Sequence, residues 1–490
     1  MLAYRNALIW ISFWVFLGLF LFTAGGRLFY PYQLEWMEGE TLVYLVRIWE
    51  GKPLYISPTF EWTPFLYNFL YFYVCYAINL LIGDGFIAGR LVSIVSILAT
   101  VYLLFLIVRD WCGENIYGVL AAALFLATYV PSGAWMDLAR VDSLFIFFIT
   151  LALWGLLSKS ELSSGVICFA GLLLAFLVKQ SALSIAPFLF LALYLKFPKT
   201  SLILALGMLI SIGLITLGMD LNTGGWYSYY IYQLASEHKW ITHRYWSFFI
   251  EDLLIWFFPA LLVIAIGFIK NFKPQNYPII NWKLLSSPIC LLAVGLFLCA
   301  YLSRLHNGGY VNVLMPAHLA LAIITSRAMY EVFQTEKFGL HAVVCCLIVC
   351  QMYICLYNPL VYLPNQADLL ANREVIELLK KSPGAVWVPY HSYLAYKADK
   401  PRHAHILAMV DVKQSDREGA SINLENEIQK KIHDQLFTLI ILDEWDRYGM
   451  AEAFLSGKYE QLDILFNDKN TLMPKSGYRT RPQWIFLPKL

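Results

Sequence analysis

From Leu8 to Tyr357 the chain is a succession of apolar runs, most of them near the about 17–25 residues needed to cross a bilayer. They fall near Leu8–Ala24, Ala88–Val108, Ile116–Pro131, Ser143–Leu157, Gly165–Val178, Ala182–Leu195, Leu202–Met219, Leu253–Phe268, Leu284–Leu302, Val311–Thr325 and Leu340–Tyr357. Only 14% of the residues are charged and 59% are hydrophobic, where a soluble globular chain carries roughly 25% charged residues. The expected fold class is an α-helical polytopic membrane protein with about eleven transmembrane helices. Thr23-Ala24-Gly25-Gly26 after the first run offers a cleavage site. An uncleaved first helix is the simpler reading, because many spans follow.

One further apolar run, Phe65–Leu81, decides the topology. If it does not cross, the loops holding Arg109, Lys159, Lys196, Lys199, Lys270, Lys273, Arg327 and Lys337 fall on the side of Arg5. That satisfies the positive-inside rule. Its many tyrosines, Tyr67, Tyr71, Tyr73 and Tyr76, also suit a headgroup-level helix. The N-terminus is then cytoplasmic, and the acidic stretch Glu35–Glu40 is outside together with the connection Ser132–Asp142. Arg90, Lys179, Arg304 and His306 fall at outer helix ends. Carboxylates and cations gather at one face, as handling of a hydroxyl and a phosphate requires. The loop Asn222–Ile250 is also outside, rich in Trp and Tyr, and reads as an aromatic belt or an interfacial helix.

Beyond about Leu363 the composition turns polar. A surface helix over Asn365–Lys381 is closed by Ser382-Pro383-Gly384. Ala385–Val388 and Leu436–Leu442 read as buried strands, and Glu425–His433 and Met450–Leu455 as helices. The chain divides into a membrane domain, 1–360, with an acidic outer loop over 25–87, and a small C-terminal α/β domain, 361–490, expected outside. The nine cysteines lie mostly in apolar runs and imply neither a disulfide framework nor a metal site. His391, His403 and His405 read as surface or satisfied histidines. The formal charge of +2 carries no argument about nucleic acid, and no such partner is expected.

With these residues placed, the chain resembles the GT-C membrane glycosyltransferases, in the branch of the protein O-mannosyltransferases, the aminoarabinose transferases and bacterial family 39-like enzymes. Glu38-Gly39, Arg47, Gly51 and Tyr55 are similar to that branch's acidic loop and following helix. Pro64, Tyr67 and Tyr71 match its aromatic segment, Gly89-Arg90-Leu91 its Arg-Leu pair, and Ala139-Arg140-Val141-Asp142 its second outer acidic motif. Lys179-Gln180-Ser181 and Gly308-Gly309-Tyr310-Val311-Asn312 recur in bacterial members. Two positions depart from the pattern. Met37 stands where the family has Asp, and Phe69 stands where it has Pro.

The resemblance implies transfer of a sugar, with inversion, from a polyprenyl-phosphate donor to a hydroxyl of a glycan, lipid or protein acceptor, at the outer face of a bacterial plasma membrane. A carboxylate must take the acceptor proton, and cations must meet the departing phosphate. The expected base is Glu38, then Glu35, then Glu40. Asp142 is placed in the catalytic group, positioning the acceptor or pairing with Arg140 or Arg90. Lys179, Arg304, His306 and Arg90 are the expected phosphate ligands, and Glu40, Arg140, Tyr67 and Asn312 the residues that position acceptor and sugar. Glu35, Glu38 and Asp142 could hold Mg²⁺ or Mn²⁺, but the resembled enzymes use protein cations, so no cofactor is expected. Two other classes fit the same residues: a transporter of a lipid-linked sugar, and a scaffold whose C-terminal domain binds a partner.

Overall fold

The computed structural model describes residues 2–269, 287–444, 449, 455 and 457–489. Helices occupy all eleven apolar runs where they are described; Leu284 and the basic residues Lys270 and Lys273 lie outside the described residues. Eight helices are long and apolar enough to cross a membrane: Leu2–Leu28, Gly85–Cys112, Glu161–Val178, Pro198–Thr223, Arg244–Gly267, Pro288–Leu305, Val311–Phe333 and Phe338–Tyr362. Leu70–Ile82, Asn115–Ala127 and Val141–Gly155 are shorter apolar helices. This is an integral membrane protein.

The helix ends separate into two groups. Arg5 donates to the Tyr117 hydroxyl at 2.8 Å and its guanidinium lies over Phe333, while Arg327 donates to the Trp111 carbonyl. The other ends meet around Glu38: its carboxylate takes hydrogen bonds from Arg90 and from the Ala139 amide. Leu70–Ile82 packs beside both Glu38–Trp49 and Gly85–Cys112. The ends therefore group as they do if Leu70–Ile82 does not cross.

Local chemistry fixes several of these elements. Asp84 caps Gly85–Cys112 by accepting from the Phe86 and Ile87 amides, a standard use of Asp at a helix start. Val141–Gly155 and Glu161–Val178 form a tight hairpin. A Cβ on Gly171 would sit 2.7 Å from the Ala152 nitrogen and 2.9 Å from the Phe148 carbonyl oxygen, so only glycine allows this approach. The hairpin sets the start of one helix beside the end of the other, Asp142 beside Lys179.

The loop Asn222–Ile250, expected as an aromatic belt or an interfacial helix, divides in two: the part around Tyr229 packs inward, while Trp240, Trp246 and Phe249 are exposed. Tyr227, Tyr229 and Tyr230 are buried, and the Tyr229 hydroxyl donates to the Ser415 carbonyl of the C-terminal domain. Helical turns cover Trp226–Ser228, Tyr229–Gln233 and Leu234–Glu237.

The C-terminal domain carries the surface helix Gln366–Lys381, opened by an Asn365/Asp368 capping box. Its sheet has the order β1-β2-β4-β3, with β1 Ala385–Trp387, β2 Phe437–Asp443, β3 Tyr459–Ile464 and β4 Pro482–Pro488. β1 runs parallel to β2, and β4 pairs antiparallel with both β2 and β3. β1 and β2 fall where the apolar runs place them. The expected helix Met450–Leu455 lies almost wholly outside the described residues. His391, His403 and His405 are all buried and hydrogen-bonded.

Candidate active site

Four segments converge on one buried centre: the loop before Glu38–Trp49, the connection leading into Val141–Gly155, the end of Glu161–Val178, and the turn Val311–Leu314. Arg140 reaches from the second to the first. Its Nη1 lies 3.2 Å from Glu35 Oε2, and its Nη2 donates to the Tyr67 hydroxyl at 3.1 Å. Asp142 binds the Lys179 ammonium at 2.8 Å through Oδ1, and takes Asn312 Nδ2 and Trp135 Nε1, each at 3.0 Å, through Oδ2. Six expected site residues, Glu35, Tyr67, Arg140, Asp142, Lys179 and Asn312, thus form one cluster.

The two leading glutamates have opposite surroundings. Glu38 is fully buried and saturated. Arg90 Nε and Nη2 bind its two oxygens at 2.8 Å, and the Leu34 and Ala139 amides add bonds of 2.7 and 2.9 Å. Burial works against its charge, but Arg90 and these donors hold its carboxyl below the usual carboxylate range. Arg90 is equally committed. Its remaining N–H groups go to the carbonyls of Arg27, Tyr30 and Tyr32, so no donor is left for a phosphate. The pair is a clamp joining the acidic loop to Gly85–Cys112. Removing one partner of such a pair costs about 3–5 kcal/mol.

Glu35 is also fully buried, yet its Oε1 has no hydrogen-bond partner. Burial raises its pKa to about 7, although Arg140 opposes the shift. A group balanced there can take and release a proton near neutral pH.

The other expected residues lie elsewhere. Glu40 accepts a short hydrogen bond from Ser392 and joins the acidic loop to the C-terminal domain; burial raises it to about 7. Arg304 is bidentate to Asp252, at 2.8 and 3.1 Å, and donates to the Gly309 carbonyl. Burial lowers the His306 imidazole below its usual value, leaving it neutral near pH 7. Arg90 and Arg304 thus have their N–H groups engaged in the free protein, whereas Glu40 Oε1, like Glu35 Oε1, is buried without a hydrogen-bond partner.

Several contributors carry no signal that the sequence alone shows. Arg27 is fully buried against Asp137 at 3.2 Å and donates to Ser476 Oγ at 2.9 Å. Gly477 lies against Glu35 itself. A Cβ there would meet Glu35 Cγ at 2.5 Å and Oε1 at 3.3 Å. Ser476 Oγ donates to the Ala134 carbonyl at 2.8 Å, and the Tyr310 hydroxyl donates to the Gly477 carbonyl at 3.2 Å. The C-terminal domain therefore walls the centre on one side.

Two cavities flank this centre. One of about 830 Å³ is lined by Gln180, Leu183, Tyr232, His306 and Arg417, next in sequence to Lys179. The other, of about 490 Å³, is lined by Gly477 and Tyr310 among others. Among the described residues no three His, Cys, Asp or Glu side chains come together as a metal site.

No protein-family model and no curated protein matches the chain in sequence. Solved structures match it in fold. ArnT from Cupriavidus metallidurans, an aminoarabinose transferase solved bound to undecaprenyl phosphate, aligns at a TM-score of 0.57 with 10% identity, over 97% of each chain. The Archaeoglobus fulgidus oligosaccharyltransferase in complex with Zn and sulfate aligns at 0.53 and 10% identity, over 93% of this chain and 71% of that one. The same archaeal protein, tethered to an acceptor peptide, aligns at 0.52 and 10% identity, over 98% and 74%. The chain has the GT-C membrane fold shared by these proteins, carrying a small C-terminal α/β domain.

Proposed function

We propose that the chain is an inverting glycosyltransferase that moves a sugar from a polyprenyl-phosphate carrier to an acceptor hydroxyl at the outer face of the membrane. The observation that carries this reading is Glu35: a buried carboxyl with an unpartnered oxygen, raised to about 7, in one cluster with Arg140, Asp142 and Lys179. The GT-C fold supports it, because one protein of that fold was solved with undecaprenyl phosphate and another with an acceptor peptide.

The acceptor oxygen attacks the anomeric carbon from the face opposite the phosphate. The bond from that carbon to the phosphate oxygen breaks, and the phosphate leaves with the electron pair. Glu35 takes the hydroxyl proton, and Arg140 favours its ionised form before attack. Lys179, held by Asp142 in the free protein, turns to the departing phosphate and neutralises it. The cavity beside Gln180 and His306 admits the donor. Asp142, Asn312 and Tyr67 orient sugar and acceptor around the bond that forms. Glu38 and Arg90 hold the loop in place.

Lys179→Met tests the donor half of this scheme. With a radiolabelled polyprenyl-phosphate sugar and the reconstituted protein, the variant should transfer about a hundredfold more slowly while keeping its elution profile. Transfer at the wild-type rate would remove Lys179 from the phosphate.

A further inference from the structure

In the transfer scheme Glu35 ends each turnover protonated. It is fully buried, and it must lose that proton before it can serve again. A pocket runs from Glu35 toward the protein surface, between the acidic loop and the C-terminal domain. The half-buried Pro364, Leu472 and Lys475 form its rim, and the buried Glu35 and His391 lie in its floor. We propose that this pocket is the proton's exit, and that His391 relays the proton from Glu35 to bulk water. The proposal rests on the reading of Glu35 as the base.

The size of the pocket decides what can use it. Its volume is about 30 Å³, room for about two water molecules at roughly 10–15 Å³ each. No sugar ring or phosphate fits. It shares no lining residue with the cavity that admits the donor, so a proton can leave while the other side is still occupied. Its walls also suit water. Glu35 Oε1 and Gln33 Oε1 are both buried without a hydrogen-bond partner, and both residues line it. Water in the pocket supplies the missing bonds.

Three strand ends hold His391 in place. It follows β1, Asp443 ends β2, and Thr480 precedes β4. His391 Nε2 bonds Asp443 Oδ2 at 3.0 Å, and the Thr480 hydroxyl donates to the same oxygen. Gln33 Nε2 donates to His391 Nδ1. With Nε2–H directed at Asp443, Nδ1 is the nitrogen that takes a proton. Gln33 suits both states of the ring. Its NH₂ donates to a neutral Nδ1, and after a turn of the amide its Oε1 accepts from Nδ1–H. The Glu35 O–H bond breaks as its proton passes to a water, and that water gives a proton to Nδ1. Asp443 balances the imidazolium until a water at the rim carries the proton away. Glu35 is left as a carboxylate beside Arg140. Burial places Glu35 near 7, within the range of about pH 5–8 where histidine ordinarily exchanges protons. Asp368, the other carboxylate in the wall, is already held by Lys475 at 2.9 Å and by the Leu472 amide at 3.0 Å.

The test compares two rates of the full chain in proteoliposomes at about pH 8, where Glu35 starts ionised. With protein in excess of radiolabelled donor, the single turnover needs no proton release. With donor in excess, every turnover does. His391→Ala should keep the single-turnover rate within about twofold and lower the steady-state kcat at least about tenfold, and added imidazole should restore it. Leu472→Trp, a change at the rim that leaves His391 and its partners in place, should show the same split without rescue by imidazole. Both rates falling together, or neither falling, overturns the relay and leaves Glu35 as the base. If His391→Ala does not fold, Leu472→Trp decides by the same split. Normal transfer by Glu35→Gln removes the base, and the relay with it.

Discussion

Glu35 and Glu38 share a residue type, a loop and full burial, and differ in what surrounds each carboxylate. Glu38 meets four donors and stays charged; Glu35 meets one guanidinium and the Met37 amide, and its Oε1 has no hydrogen-bond partner. The sequence shows both carboxylates but not their partners, because Arg90 and Ala139 reach Glu38 only through tertiary packing. Family resemblance favoured Glu38, while helical spacing pointed to Glu35 beside it. Glu40 adds a testable pH effect. Its folded pKa of about 7 lies above the ordinary 4.5. The folded protein therefore binds more protons than the unfolded chain between those values, and stability falls as pH rises through that window. Glu35 contributes in the same direction. Glu40→Gln should flatten the dependence of the thermal midpoint on pH between about 4.5 and 7, without changing its slope above that range. An unchanged slope would show that Glu40 is ionised in the folded protein.

At the scale of elements, the apolar runs were legible because span length is set by the bilayer. What they could not show was how irregular helices are repaired. Arg244–Gly267 contains Pro259, and Phe257 departs from helical geometry at φ −125°. The broken turn is closed by another helix. Gln351 Oε1 accepts from the Ala260 amide at 3.2 Å, and its Nε2 donates to the Trp256 carbonyl at 3.0 Å. Backbone groups in lipid need partners, and one buried amide supplies both. Gln351→Leu should lower stability by about 1–3 kcal/mol, read as a lower midpoint in thermal unfolding of the detergent-solubilised protein. An unchanged midpoint would mean that another group takes over both bonds. The aromatic stretch around Tyr229 shows the opposite difficulty. Its composition is that of a membrane belt, but its tyrosines are buried against distant segments, Tyr227 and Tyr230 on Tyr55, Asn68 and Ile56 and Tyr229 on Ser415, which a local pattern does not contain.

For the whole molecule, the segregation of helix ends into two faces followed from counting spans and basic loops. Arg140, Asp142, Lys179 and Asn312 come from three separate regions of the chain and still meet, because an even number of crossings between one region and the next returns the chain to the same side. The part played by the C-terminal domain was not legible. Lys475-Ser476-Gly477-Tyr478 is a polar loop in sequence, and only packing sets it against Glu35 and Arg27. The membrane helices and the C-terminal domain build the centre jointly. The most direct test of the account is transfer by Glu35→Gln, measured beside wild type with radiolabelled polyprenyl-phosphate sugar and the anomeric configuration of the product read by NMR. The account expects an inverted product from wild type, with kcat/KM rising through about pH 7. It expects a folded Glu35→Gln protein that still binds donor and forms no product. Normal transfer by that variant, or a retained anomeric configuration in wild type, would contradict it.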